Sequence, residues 1–232
     1  PEIRDVLVTG GDPLVLETAS LARVVEGFAA IDHVRTVRVG SKMPAILPQR
    51  LLNDPALMEL FTRVVRSGTA LYFMAHFDHP RELTVAAREA IGAVQASGAH
   101  VVNQCPLVRG VNDDADVLRE LFETATSLGL PQYYLFQGRP TVGNEIYGVS
   151  LVRGWKLFQE ARRDLSGLSR RARYVMSHTT GKIDIMGVDD DQIHLRYHRA
   201  LDPEDEGRIL LAVRDDRAVW LDDLEIRSGS WV

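Results

Sequence analysis

Five short apolar runs, at residues 6–8, 37–39, 71–74, 100–102 and 133–136, recur along this chain at intervals of about thirty residues. Each run is followed by a glycine, proline or polar cluster and then by a stretch of helical periodicity. A strand with its return helix occupies that length, so the recurrence predicts parallel strands linked by helices in an α/β sheet or barrel. Two stripes support the helices: Leu57, Leu60, Phe61, Val64 and Val65 form one, and Leu118, Leu121, Phe122, Ala125 and Leu128 the other. Gly68, Gly98 and Gly129 each lie just past a periodic stretch, where a left-handed C-terminal cap is favoured.

Near residue 150 the pattern changes. A helix is expected over 151–165, followed by strands at 173–176, 193–197, 209–213 and 219–221, with acidic turns between them. The expected division is therefore 1–149, an α/β barrel part, and 150–232, a C-terminal helix with a β-rich segment. The formal charge of −5 argues against nucleic acid or an anionic membrane as partner. No apolar stretch approaches the ~20 residues of a membrane helix. The single cysteine, Cys105, excludes an intrachain disulfide and any site needing several thiolates from this chain alone, and a reducing cytoplasm is the expected location. The chain starts at Pro1, directly before a strand, which suggests a segment of a longer protein.

In parallel α/β folds, ligands meet the loops at the carboxyl ends of the strands. The unusual residues gather there: Gly10, Gly11 and Asp12 after the first run, Ser41 and Lys42 after the second, His76 to His79 after the third, Gln104 and Cys105 after the fourth, and Gln137 to Arg139 after the fifth. Each has a plain alternative. The Gly-Gly-Asp turn could merely cap a helix. His76 and His79 could be a metal pair, although Pro80 argues against a helical site. Cys105 has no basic neighbour to activate it and reads as a packed small residue. Lys182, in Thr179-Thr180-Gly181-Lys182, is either a surface charge or an amine able to form a Schiff base.

Taken together, six segments in order resemble the lysine 2,3-aminomutase family of radical S-adenosylmethionine enzymes: VLVTGGDPL from Val6, VRVGSKMPAILPQR from Val37, AHFDHPREL from Ala75, VVNQCPLVRGVNDD from Val101, PQYYLFQGRPTVG from Pro131 and YVMSHTTGK from Tyr174. The resemblance spans residues 5–187. It implies a partial (β/α)6 barrel holding strands two to six, a 4Fe–4S cluster, S-adenosylmethionine and pyridoxal 5′-phosphate. The implied activity is an isomerase that moves an amino group from the α to the β carbon of a small-molecule amino acid, with a reductant for the cluster. By position, Gly10, Gly11 and Asp12 would line the amino group of S-adenosylmethionine, Ser41, His76 and Gln104 would flank its other parts, and Lys182 matches the pyridoxal lysine.

Three departures shape the expectation. The family's CxxxCxxC cluster motif is not in this sequence, so no metal ligands are expected in this chain and the cluster cysteines are expected upstream of Pro1. Arg139 stands where lysine-specific members have an aspartate for the substrate's ammonium, and Ser177 where they have a second one. A cation facing a cation repels, so a non-lysine substrate, acidic or neutral, is expected. Two other readings stay open: a cofactor-free Schiff-base aldolase or lyase barrel, and a non-catalytic binding module.

Overall fold

The computed structural model describes residues 2–227 and shows a mixed α/β protein with two compact units. The first comprises the chain up to Gln104 together with Ala125–Pro131. Its strands β1 (Asp5–Val8), β2 (Thr36–Ser41), β3 (Ala70–Ala75) and β4 (His100–Pro106, the last two residues counted with the second unit) pair in sequence order, all parallel. Between them run α1 (Thr18–Ala29), the one-turn helices α2 (Met43–Ile46) and α3 (Gln49–Leu52), α4 (Pro55–Arg66) and α5 (Val85–Ala96).

The helices form where side chains start and stop them. Asp54 caps α4 by accepting from Leu57 N at 3.2 Å, and Thr84 caps α5 by accepting from Ala87 N at 3.2 Å. The predicted stripe of α4 is buried at Leu57, Leu60, Phe61 and Val64, and Phe61 packs against Phe73 of β3 with ring centroids 6.1 Å apart. Gly68, Gly98 and Gly129 take φ of +93°, +90° and +75°, as helix-ending glycines should.

The second unit comprises Cys105–Thr124 and the chain from Gln132 onward. It contains most of α6 (Ala115–Ser127), then β5 (Gln132–Phe136), α7 (Leu151–Arg162) and β6 (Arg173–His178), which lies parallel to β5. The strands β7 (Gly181–Val188), β8 (Gln192–Ala200), β9 (Ile209–Val213) and β10 (Ile226–Arg227) then continue antiparallel. Alternation along these strands separates two faces. One carries Leu135, Tyr174, Met176, Ile183, Ile185, Ile193, Leu195 and Ala212, all buried. Helix α7 packs here, with Phe158 5.7 Å from the ring of Tyr174. Gly154 of α7 is required by that contact, because a Cβ there would lie 2.8 Å from the Tyr174 Cζ. Tyr134, Phe136, Arg173, Ser177, Lys182, Asp184, Arg196 and His198 occupy the other face.

Two segments differ from expectation. Residues 219–221 do not form a strand: Val219 N and Trp220 N both donate to Asp223 Oδ2 at 2.9 Å, and a 3-10 turn follows at Leu221–Asp223. A side-chain carboxylate has taken the amides that a ladder would need. No strand was expected between residues 176 and 193, yet Gly181–Val188 form β7 with Lys182 as its second residue, a strand that its leading glycine obscures in the sequence. The alternation Lys182, Ile183, Asp184, Ile185 is nonetheless the signal of a half-buried strand.

Candidate functional site

In the first unit, four strand ends meet around one cavity of about 260 Å³ lined by Thr9, Gly11, Asp12, Gly40, Ser41, Lys42, Met74, His76 and Gln104. After β1 the backbone turns through Gly10 (φ +107°) and Gly11 (φ +30°), a left-handed conformation that glycine alone adopts without strain. A Cβ on either would meet nothing within 4 Å, so the turn faces open space that a ligand head group could fill.

Asp12 locks this turn to β2. Its Oδ1 accepts from Leu14 N at 3.0 Å, and its Oδ2 accepts from Lys42 N at 2.7 Å and from Ser41 Oγ at 3.0 Å. Asn103 locks β4 to the end of β3 in the same way, accepting from Phe77 N at 2.9 Å and donating to Phe77 O at 3.0 Å. The adjacent Gln104 consequently lines the cavity.

The structure adds three residues that the sequence reading did not assign to the site. Lys42 Nζ lies 2.8 Å from Asp78 Oδ2 and 3.0 Å from Glu82 Oε1, and His76 Nε2 lies 2.8 Å from Asp78 Oδ1. Burial opposes the charge of Asp78, but the hydrogen bonds and charges of His76 and Lys42 outweigh it and hold the carboxyl below its ordinary range. For Lys42 burial is likewise overcome, by Asp78 and Glu82, and the ammonium is held above its ordinary range. The signal was the His-x-Asp spacing of His76 and Asp78, with Glu82 four residues on. His79 plays a different part, since its Nδ1 accepts from Arg81 N at 3.1 Å and caps the turn at Pro80–Glu82.

In the second unit, Lys182 Nζ lies 4.6 Å from the ring centroid of Tyr134 and 5.3 Å from that of Phe136, within cation–π range. Gly181 must precede it, because a Cβ there would run into the Arg199 carbonyl of β8. Around Lys182 the open face is polar. Tyr134 Oη and His198 Nε2 are 2.7 Å apart, Arg173 donates to His198 Nδ1 at 2.6 Å, and Arg196 donates to Asp184 Oδ2 at 2.7 Å. Burial pushes the Tyr134 phenol well above its ordinary range and, joined by the nearby cations and opposed by Asp184, pushes His198 below its own. Asp184 is buried with its Oδ1 lacking a hydrogen-bond partner. The Lys182 amine and the two arginines Arg173 and Arg196 on one face are donors that suit an anionic cofactor, with the buried Asp184 carboxylate balancing part of their charge.

Ser177 pairs with Lys182 in the β6–β7 register, so the two are neighbours. Arg139 is exposed, and lines a separate cavity of about 480 Å³ with Leu107, Pro140, Asn144 and Tyr147; Lys182 is not among that cavity's lining residues. Gln137, beside that segment, is structural: its Nε2 donates to Val149 O at 2.7 Å and Val219 O at 2.8 Å. Cys105 is buried, with Gln132 Nε2 3.3 Å from its sulfur. Among the described residues no three histidine, cysteine or acidic side chains group as metal ligands, so this set does not fit an iron–sulfur cluster. Among them, too, no helix is long and apolar enough to cross a membrane.

No family model matches the chain. A protein of Aquifex aeolicus, provisionally named L-lysine 2,3-aminomutase, is 49% identical over 224 residues, which cover 96% of this chain and 60% of that one. The L-lysine 2,3-aminomutase of Clostridium subterminale is 31% identical over 167 residues, 72% of this chain and 39% of that one. The glutamate 2,3-aminomutase of Clostridioides difficile is 32% identical over 168 residues, 72% of this chain and 38% of that one. The chain belongs to the lysine 2,3-aminomutase family. It spans 60% of the length of the first of these relatives and about two fifths of the other two. A radical SAM methyltransferase from Sphaerobacter thermophilus superposes loosely, with a TM-score of 0.36 and 17% identity over 68% of this chain and 56% of that one, too loosely to carry an argument.

Proposed function

We propose that this member of the 2,3-aminomutase family is the S-adenosylmethionine- and pyridoxal phosphate-binding part of a radical SAM isomerase that acts on an amino acid other than lysine. The observation that carries the reading is the cavity of the first unit, where Gly11, Asp12, Ser41, His76 and Gln104 come together from four separate segments. When bound, S-adenosylmethionine with its cluster supplies a hydrogen-abstracting radical, and pyridoxal phosphate supplies an electron sink.

The chain's own residues bind and orient. Gly10 and Gly11 leave their backbone open to the amino-acid end of S-adenosylmethionine, and Asp12 holds that turn in place. Lys182 offers the amine for the pyridoxal aldehyde, while Arg173 and Arg196 on the same face suit the phosphate. The cluster ligands belong to sequence outside the described residues, and no step is assigned to Cys105. The proposed architecture is a partial (β/α)6 barrel. By function, residues 1–149 form its S-adenosylmethionine-binding part and residues 150–232 carry Lys182, a division different from that of the two compact units.

Substrate choice follows from charge. Arg139 and Ser177 stand where anions would hold the far ammonium of lysine, which supports an acidic or neutral α-amino acid, glutamate before lysine. Arg139 is exposed, so solvent screens a reversed contact there to about 1 kcal/mol, or several fold in preference. The test is turnover of the iron-, sulfide- and pyridoxal phosphate-reconstituted enzyme with glutamate, alanine, arginine and lysine, alongside Arg139→Asp. Glutamate or alanine should lead, and Arg139→Asp should move the preference toward the basic amino acids. Lysine turning over best in the wild type would refute the substrate assignment.

A further inference from the structure

The relation between His76 and Asp78 goes beyond the lining of the cavity. Asp78 Oδ1 meets His76 Nε2 at 2.8 Å, and Asp78 Oδ2 meets Lys42 Nζ at 2.8 Å. Glu82 closes the network, accepting from Asp78 N at 2.5 Å and His79 N at 3.3 Å through Oε2, and from Lys42 at 3.0 Å through Oε1. Lys42 also approaches the His76 carbonyl at 3.4 Å. Both the side chain and the backbone of His76 are thereby tied to the same ammonium–carboxylate cluster.

A carboxylate only accepts hydrogen bonds, so the nitrogen facing Asp78 must carry a proton. The neutral ring then has its lone pair on Nδ1, the nitrogen that Asp78 does not occupy, on a side chain that lines the cavity. We propose that Asp78 is a positioning residue that holds His76 as the Nε2–H tautomer, so that Nδ1 accepts a hydrogen bond from a hydroxyl or ammonium of the ligand in this cavity. The ligand half of this proposal rests on the reading of the cavity as the S-adenosylmethionine site; the tautomer half does not.

The network makes a sharp prediction for Asp78→Asn, which keeps the size of the side chain but offers only one acceptor oxygen. Lys42 can only donate and will take that oxygen. The amide N–H₂ then faces His76 Nε2, which must accept, and the ring proton moves to Nδ1. A structural role for Asp78 alone would not invert a tautomer.

The test is nitrogen-15 NMR of histidine-labelled protein, with the His76 signals identified by their loss in His76→Gln, together with calorimetric titration of S-adenosylhomocysteine. The wild type should show the Nε2–H pattern and Asp78→Asn the Nδ1–H pattern. S-adenosylhomocysteine binding should weaken on the order of tenfold or more in Asp78→Asn. Adding Lys42→Met to Asp78→Asn frees the amide oxygen for His76 and should restore the Nε2–H pattern. An Nδ1–H wild type, or an unchanged tautomer in Asp78→Asn, overturns the proposal. So does an inverted tautomer with undiminished binding. Wild-type protein that has the stated tautomer but binds no S-adenosylhomocysteine overturns the reading of the cavity and upholds the role of Asp78.

Discussion

The two units build their polar surfaces by different geometric rules. In the first, the residues around the cavity come from the carboxyl ends of parallel strands and from the turns that follow them, fixed by side-chain links: Asp12 ties β1 to β2, and Asn103 ties β3 to β4. In the second, Lys182, Asp184, Arg173 and His198 are residues within strands, brought together because antiparallel pairing places them on one face. Parallel strands concentrate chemistry at their ends, whereas an antiparallel sheet spreads it over a face. The first arrangement tolerates changes within a loop; the second depends on register, which a single-residue slip would invert.

The largest expected effect separates the units by ligand. Lys182→Ala should abolish covalent retention of pyridoxal phosphate after borohydride reduction, read as loss of the cofactor mass from the intact protein. S-adenosylhomocysteine affinity, which the proposed function assigns to the first unit, should stay within about twofold, since sites without shared partners act independently. Undiminished labelling in Lys182→Ala would remove the lysine from its proposed role and leave the open face of β5 to β8 without its central group.

How far each unit was legible follows from the same contrast. Gly10, Gly11, Asp12, Ser41, His76 and Gln104 were readable because each stands next to an apolar run, and a strand end can be located from sequence to within a residue or two. Asp78, Lys42 and Glu82 were in view but lacked a role, because their meaning lies in contacts that cross from β2 to the turn after β3. Of the second unit, Lys182 stood out in the sequence as either a surface charge or a Schiff-base amine, and only the family motif chose between the two. Tyr134, Arg173, Asp184 and His198 were not, since their grouping needs the β6–β7–β8 register and the irregularity between Lys182 and Ile183. The expected strand at 219–221 failed for a related reason: apolar residues mark a strand only when no side chain, here Asp223, takes the amides first.

Register also predicts where the second unit is fragile. Gly181 has φ of +146°, and the space beside it is filled by the backbone of Arg199 and Ala200. Gly181→Ala must push β7 away from β8 or shift it along the ladder, at a cost on the order of 3 kcal/mol. Chemical denaturation should report that loss. Gly10→Ala is the matching change in the first unit: it carries the same left-handed penalty but meets open space, so its cost should be closer to 1 kcal/mol. Equal costs at the two glycines would mean that the packing of β8 against Gly181 contributes little and that the contrast between the units is one of backbone conformation alone.

The smallest effect is a pH dependence that belongs to the first unit. The ordinary value for an aspartate is 3.8, and Asp78 in the folded protein lies below it. A depressed carboxyl stabilises the fold fully above its unfolded value and loses that contribution as pH falls through the folded value, so Asp78 acts only on the acid limb, below about pH 4. Lys42, raised above its ordinary 10.5, contributes fully below that value and loses its contribution only at higher pH, so the pair holds across the neutral range. Asp54 and Asp189 are also depressed and will steepen the same limb, Asp189 to about 2, so the informative quantity is the difference between wild type and Asp78→Asn. That difference should be on the order of 1 kcal/mol at pH 6 and shrink toward pH 2. A difference that stays constant through the acid range would mean that Asp78 stabilises the unit by shape and not by its charge, and would separate its contribution from the Lys42 and His76 contacts that define the cavity's edge.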